Sequence, residues 1–459
     1  MSLTRKHGRK FPARLATALI LISAVSIQLA AQTATPASQA AQEDSTKKYL
    51  DQVAGKTVDD LVKAALENNA ELIAMRKEAD AGESLLDQAR LRANPSVEVS
   101  GTRRIGGTDN SLMIQGAQPL ELGGRRSSRI AAANAELEIR RQAAAEKERQ
   151  VAGDVRTKFG EVLAAALKLG FVEAMLEMEK QSFDVVAAKV SDGRTAPLEQ
   201  NMVAVELNKM RADREMAEGA AEQKMFELKN LVGMSPDEPL KLKGNFPAML
   251  GQAPPEPVAV EKALETRPDL VGARAVEQLE AARVEQAKAE GRVDADIMLG
   301  YQRMHTGFPL LGVEPSTGAL LPIEDKMHFF TFGVRLNVPV WNKNQGAVAA
   351  ATSEAEAARS RREFGELTVR HEIAAAYARY SRALRAMEID RIGVRDQAAQ
   401  NLDVVRQTYD LGSKTLLDYI AEHHRFMETE KGYIDAELEA YIARVEILRA
   451  VYAPELISK

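Results

Sequence analysis

The chain of 459 residues has no cysteine, a single tryptophan and only 5% aromatic residues. The missing cysteine excludes disulfides, thiolate metal centres, thiol nucleophiles and a lipid carried on an N-terminal cysteine. So few aromatics argue against a globule centred on large rings and favour long helices that pack through small side chains. Basic residues are not in surplus: 61 Lys and Arg stand against 66 Asp and Glu, a formal charge of −5, which gives nothing to neutralise a phosphate backbone. Nucleic acid is therefore not a partner. Beyond Gln32 no run of 18 apolar residues occurs, so no helical membrane span is expected there. There is no nucleophile–base motif and no phosphate loop, and His7 is one of only six histidines. No enzyme, no cofactor and no metal site are expected.

What is present begins with an export signal. Arg5, Lys6, Arg9, Lys10 and Arg14 precede an apolar stretch at 15–29, and the small residues Ala30 and Ala31 follow. That order reads as a signal peptide over residues 1–31, with cleavage near Ala31; an uncleaved anchor would need a longer apolar run. Export without cysteine fits the periplasm or outer membrane of a Gram-negative cell.

The mature chain is a tandem repeat. ALENNAEL at 65–72 returns as ALETRPDL at 263–270, and Gln88-Ala89 returns as Gln286-Ala287 at the same offset. Alternating apolar stretches end in Pro119-Leu120 and in Pro339-Val340, and Gly193 with Glu199 is echoed by Gly412 with Asp418. We assign an N-terminal extension at 32–56, a first repeat at 57–245, a Pro-rich linker at 246–258, a second repeat at 259–454 and a tail at 455–459. The extra residues of the second repeat fall between Met304 and Met327, in a Gly- and Pro-bearing stretch that reads as a loop.

Each repeat predicts a helical tract (58–92; 259–292), two short strands, a very long helix (125 to about 190; 346 to about 411) and a further helix. The long tracts lack proline entirely. Some 65 residues of helix span on the order of 100 Å at 1.5 Å per residue, a length that survives only by packing along a seam. Val151, Val155, Phe159, Val162 and Ala166 recur at spacings of three and four and mark that buried stripe.

In 329–340, Phe330, Phe332, Val334, Leu336, Val338 and Val340 alternate with Thr331, Gly333, Arg335 and Asn337. Ala295, Ile297, Leu299 and Tyr301 do the same, and Val97, Val99, Leu112 and Ile114 do so more weakly. This is the pattern of a membrane β-strand, with Phe330, Phe332, Val334 and Leu336 facing lipid; a half-buried soluble sheet predicts it too. Context favours lipid, because each strand pair sits at the far end of its helices. Four strands cannot close a barrel, so several copies must share one: two copies give eight strands, three give twelve and a bore.

The tandem halves, PLELGGRR at 119–126, its counterpart PVWNKNQG at 339–346 and the Gly193 and Gly412 breaks resemble the TolC-like outer-membrane efflux factors, most nearly their heavy-metal branch for cobalt, zinc and cadmium or for copper and silver. The likeness runs from about residue 57 to 454. It implies a mainly α fold with a small β part: a homotrimer with four membrane strands per chain completing a twelve-stranded barrel, and a long α-helical coiled-coil tunnel in the periplasm. It implies a passive exit duct of a tripartite pump, joined to a periplasmic adaptor and an inner-membrane transporter of the resistance-nodulation-division type, and carrying heavy-metal cations. Drug or small-organic efflux and type I secretion are alternatives on the same fold. A soluble periplasmic coiled-coil adaptor is the rival of another class.

By the same likeness the turns at Asp192, Gly193, Leu411 and Gly412 form the adaptor-contacting tip, and Tyr409, Lys414, Asp418 and Glu199 form a periplasmic gate. Lys414 stands where arginine is familiar and loses the two-pronged fork. The plain alternative makes Lys414 and Asp418 a surface pair four apart on a helix, and Glu437 reads as outward-facing. Met304, His305, Met327 and His328 flank the predicted loop, and His423-His424 follow the tip. Adjacent helical residues diverge by about 100°, so the last two cannot share one ion within a chain.

Overall fold

The computed structural model describes residues 45–457. The expected signal at 1–31, residues 32–44 of the expected N-terminal extension and the last two residues of the expected tail lie outside the described residues. No helix among the described residues is long and apolar enough to cross a membrane.

After a short helix α1 (Ser45–Tyr49), the order α2 (Val58–Asn68), α3 (Ala70–Arg90), β1 (Ser96–Arg103), β2 (Asn110–Pro119), α4 (Arg125–Ser191), α5 (Pro197–Val232) is established. A single turn α6 (Phe246–Met249) follows. The order then recurs as α7 (Glu256–Thr266), α8 (Pro268–Glu290), β3 (Asp294–Val313), β4 (Leu320–Asn337), α9 (Gln345–Ile389) with α10 (Asp396–Asp410), and α11 (Leu416–Val451), before α12 (Pro454–Ile457). The helical tracts at 58–92 and 259–292 are each two helices. Asn69 breaks the first and caps α3 by accepting from the Leu72 amide at 3.1 Å. At the second break Arg267 is 2% exposed and donates to Asp269 at 2.6 Å, Glu372 at 2.8 Å and the Ala450 carbonyl at 3.1 Å.

α4 is 67 residues long. α3 lies along its sheet-side half and α5 along the other; α8 and α11 flank α9 and α10 in the same way and also touch α4. Val151, Val155, Phe159, Val162 and Ala166 are all buried, and they sit in the cluster that joins α4 to α2, α5 and α11. The second long tract departs from expectation. A π-helical segment, Asp390–Arg395, separates α9 from α10, and such segments bend a helix by inserting a residue into its bonding ladder. Arg395, its last residue, is held by Glu430 at 2.7 Å and by the Tyr433 ring at 4.8 Å.

The strands form one antiparallel sheet in the order β1-β2-β3-β4, in which the β2–β3 pairing joins the two repeats. The stretch between Met304 and Met327 is not a loop. β3 and β4 continue pairing to Val313↔Leu320, with an irregularity between Gly307 and Leu311. Pro309 sits in that bulge and Pro322 on the edge strand, the two places where a strand tolerates proline. At the other end β4 stops at Asn337, ahead of Pro339, so the alternation of Val338 and Val340 lies beyond the strand.

Candidate functional site: sheet face and helical tip

Two regions carry the residues singled out by sequence. In the sheet, register places Val99, Ile114, Tyr301 and Phe330 in one row and Leu299 and Phe332 in the next, all on one face. That face is open: Phe330 is 83% exposed, Phe332 82%, Val334 61% and Leu336 60%. The opposite face carries Glu98, Ser100, Gln115, Gln302 and Thr331. So large an exposed apolar surface is unlike a water-facing sheet. β1 and β4 each pair on one side only, leaving two free edges.

At the opposite end of the helices are the turns. α4 stops at Ser191, and the Gly193 amide donates to the Val190 carbonyl at 3.0 Å while that of Arg194 donates to Lys189 at 2.9 Å. α10 stops likewise, with Gly412 donating to Tyr409 and Ser413 to Thr408, each at 2.9 Å. Gly193 has φ 72° and Gly412 φ 77°, the left-handed closure that glycine favours. Asp192, Gly193, Leu411 and Gly412 are all exposed, Leu411 at 81%.

The structure brings Tyr409 and Glu199 together: the Tyr409 hydroxyl donates to Glu199 Oε2 at 3.4 Å, linking the tips of the two repeats. Tyr409 stacks on Tyr419 with ring centroids 6.0 Å apart, and Lys189 Nζ lies 5.6 Å from the Tyr409 ring centre. Burial, and then the Glu199 charge, push the Tyr409 hydroxyl up, so it remains a donor. Lys414 and Asp418 are not a helical pair. Lys414 precedes α11 and is exposed, with no ion pair to another described residue. Asp418 is engaged by Thr415, whose amide donates to it at 3.0 Å and whose hydroxyl accepts from the Asp418 amide at 3.2 Å. This capping box holds the carboxyl below its usual range, through the Thr415 amide first. Glu199 occupies the matching place in α5, but its N-cap is Ala196, which has no side-chain oxygen. Its carboxylate is thereby left available to Tyr409.

Glu437 is not outward-facing: it is 8% exposed, and burial raises its carboxyl. His328 meets the Tyr301 hydroxyl at 2.7 Å and His305 meets Glu324 at 3.0 Å. His423 is 1% exposed, while His424 bonds Glu206. Among the described residues no group of three or more His, Asp or Glu is placed to hold a metal ion.

The chain is 23% identical over 397 residues to the cobalt-zinc-cadmium resistance protein CzcC of Cupriavidus metallidurans, covering 86% of this chain and 89% of that one. Its fold superposes on a crystal structure of CusC with a TM-score of 0.72 at 16% identity, covering 87% of this chain and 92% of the other. The outer membrane protein VceC of Vibrio cholerae superposes with a TM-score of 0.67 at 15% identity, covering 86% and 95%. The profile described as outer membrane efflux protein matches residues 61–234 and 259–451. A tandem chain of long helices, carrying a sheet with one bare apolar face and matched by that profile along both halves, belongs to the outer membrane efflux protein family, whose members are transport channels.

Proposed function

We propose that the chain is the passive outer-membrane duct of a tripartite efflux pump, working as a homotrimer. The observation that carries this is the four-stranded sheet itself, apolar and bare on one face and unpaired along both edges. Hydrocarbon leaves an open edge no partner but another strand, so copies must join. Three copies give twelve strands, wide enough for a bore, where eight would be filled by side chains. The helices then hang into the periplasm as a tunnel. Residues 1–31 direct export, and the repeats at 57–245 and 259–454 each supply two strands and their helices, joined through the linker at 246–258.

The tip is the periplasmic mouth. Tyr409, Glu199, Lys414 and Asp418 gate it, and the exposed turns at Asp192, Gly193, Leu411 and Gly412 meet a periplasmic adaptor that connects to an inner-membrane transporter of the resistance-nodulation-division type. The likeness to CzcC supports heavy-metal cations as cargo. Deleting the gene from its host should lower tolerance to cobalt, zinc or cadmium salts while leaving tolerance to organic toxicants unchanged. The reverse pattern would replace metal efflux with drug efflux on the same fold.

A further inference from the structure

Above the tip, where α4, α5 and α11 meet, the seam contains charge. Glu179 of α4 is 2% exposed, Glu206 of α5 7% and His423 of α11 1%. Glu206 bonds His424 Nε2, and Lys209 Nζ lies 3.4 Å from the same nitrogen. Among the described residues neither ring nitrogen of His423 has a hydrogen-bond partner, although the ring lies 6.0 Å from that of Tyr419 and 6.5 Å from that of His424. Tyr419 continues the stack to Tyr409 at the mouth. A cavity of about 220 Å³ opens beside Glu179, Arg406, Tyr409, Asp410 and Tyr419. Buried polar groups left so poorly matched cost stability. Nothing in the proposed duct function accounts for them.

We propose that Glu179, Glu206, His423 and His424 form a proton-controlled latch that fastens α11 to α4 and α5 just above the mouth, closed while Glu179 is protonated and loosened when it ionises. Two carboxylates in one dry seam cannot both carry charge cheaply, and it is Glu206 that is hydrogen-bonded to the His424 imidazole. The groups facing the seam are Glu179 from α4, Glu206 and Lys209 from α5, and Tyr419, Glu422, His423 and His424 from α11, with Arg406 and Asp410 of α10 beyond Tyr419.

The direction of the response follows from the shifts. Burial first, and the Glu206 charge second, raise Glu179 from 4.5 to about 7, with His424 opposing. A released, hydrated Glu179 would ionise near 4.5, so closing the seam takes up a proton between these values. The closed state is favoured at low pH and loses that advantage as pH rises through about 7. His423 acts oppositely: burial lowers it from 6.5, so acid below that value works against closure. Between pH 6 and 8 Glu179 dominates. Glu179 alone, titrating near 7 in the seam against 4.5 outside, weakens closure about tenfold from pH 6 to pH 8, while a released His423 at 6.5 gives back up to about fourfold of this, so the net weakening is at least about twofold.

The latch rests on the duct reading for its consequence, a mouth that opens more readily in alkali, but the seam can be measured by itself. In the detergent-solubilised full chain, hydrogen exchange of amides 419–427, corrected for its intrinsic pH dependence, should quicken at least about twofold from pH 6 to pH 8. Glu179→Gln should abolish that quickening and leave only the opposite response of His423. Identical protection at both pH values, or an unchanged response in Glu179→Gln, overturns the latch. Should Glu179→Gln fail to assemble, Glu206→Gln removes the neighbouring charge and should move the midpoint below 7; an unmoved midpoint is equally fatal. A seam that responds to pH while single-channel conductance does not would leave the latch standing and remove its link to the mouth.

Discussion

Val334→Arg should leave most of the protein outside the outer membrane, whereas Gly333→Arg and Thr331→Arg should insert nearly as the parent does. Val334 lies on the apolar face in register with Ile297, and its side chain is 61% exposed with no protein to cover it. If that face meets lipid, an arginine at mid-depth costs about 2–4 kcal/mol per copy, and every copy in the barrel carries it. Gly333 is one residue away and on the other face, where an added Cβ would find its nearest neighbour, the Met298 methyl, 4.0 Å off. In the proposed barrel a charge there would enter the bore and remain hydrated. The fraction of chain that becomes heat-modifiable in outer-membrane preparations measures insertion. Equal tolerance at 333 and 334 would mean that the bare face is covered by something other than lipid.

The second large effect concerns the mouth. Tyr409→Phe removes the hydroxyl that links the two repeats through Glu199 and leaves the ring stack on Tyr419 in place. One such bond contributes about 0.5–1.5 kcal/mol, and the proposed trimer would lose three at once. Adding Lys414→Ser removes an exposed cation that has no ion pair to another described residue and that, in the proposed trimer, can meet a neighbouring copy. The double variant should raise single-channel conductance in planar bilayers several-fold without disturbing assembly. Asp418→Lys should open the mouth further, because it sets two cations side by side and also dismantles the Thr415 capping box at the start of α11. The matched control is Glu428, which is exposed, rather than the buried Glu437. Unchanged conductance in all three variants, with assembly intact, would return Tyr409 and Glu199 to a structural tie between turns.

The periodic features were legible because their periods are imposed by geometry. Phe330 to Leu336 alternate as a strand must, and Val151 to Ala166 repeat as a packed helix must. The tip glycines were legible because a left-handed closure leaves few other choices. The long β3–β4 hairpin was not, since Gly307, Pro309 and Gly312 are punctuation in isolation and become acceptable only at a bulge beside a free edge. The π-helical turn at Asp390–Arg395 has no compositional mark.

Asp418 carries a sequence signal of its own. Thr415-Leu-Leu-Asp418 is a capping-box spacing, which gives the acid a structural duty at the start of α11 beside the proposed one at the mouth. The Glu179 cluster was hidden because its members lie on three helices far apart in sequence. Its trace is an acid on the buried stripe, with Glu179 following Val172, Met175 and Leu176 at helical spacing.

The central claim is that four strands per chain are shared among three copies. Native mass spectrometry of the detergent-solubilised outer-membrane protein tests it most directly. Three chains per particle is the expected result, and a stable particle of one or two chains would contradict the account.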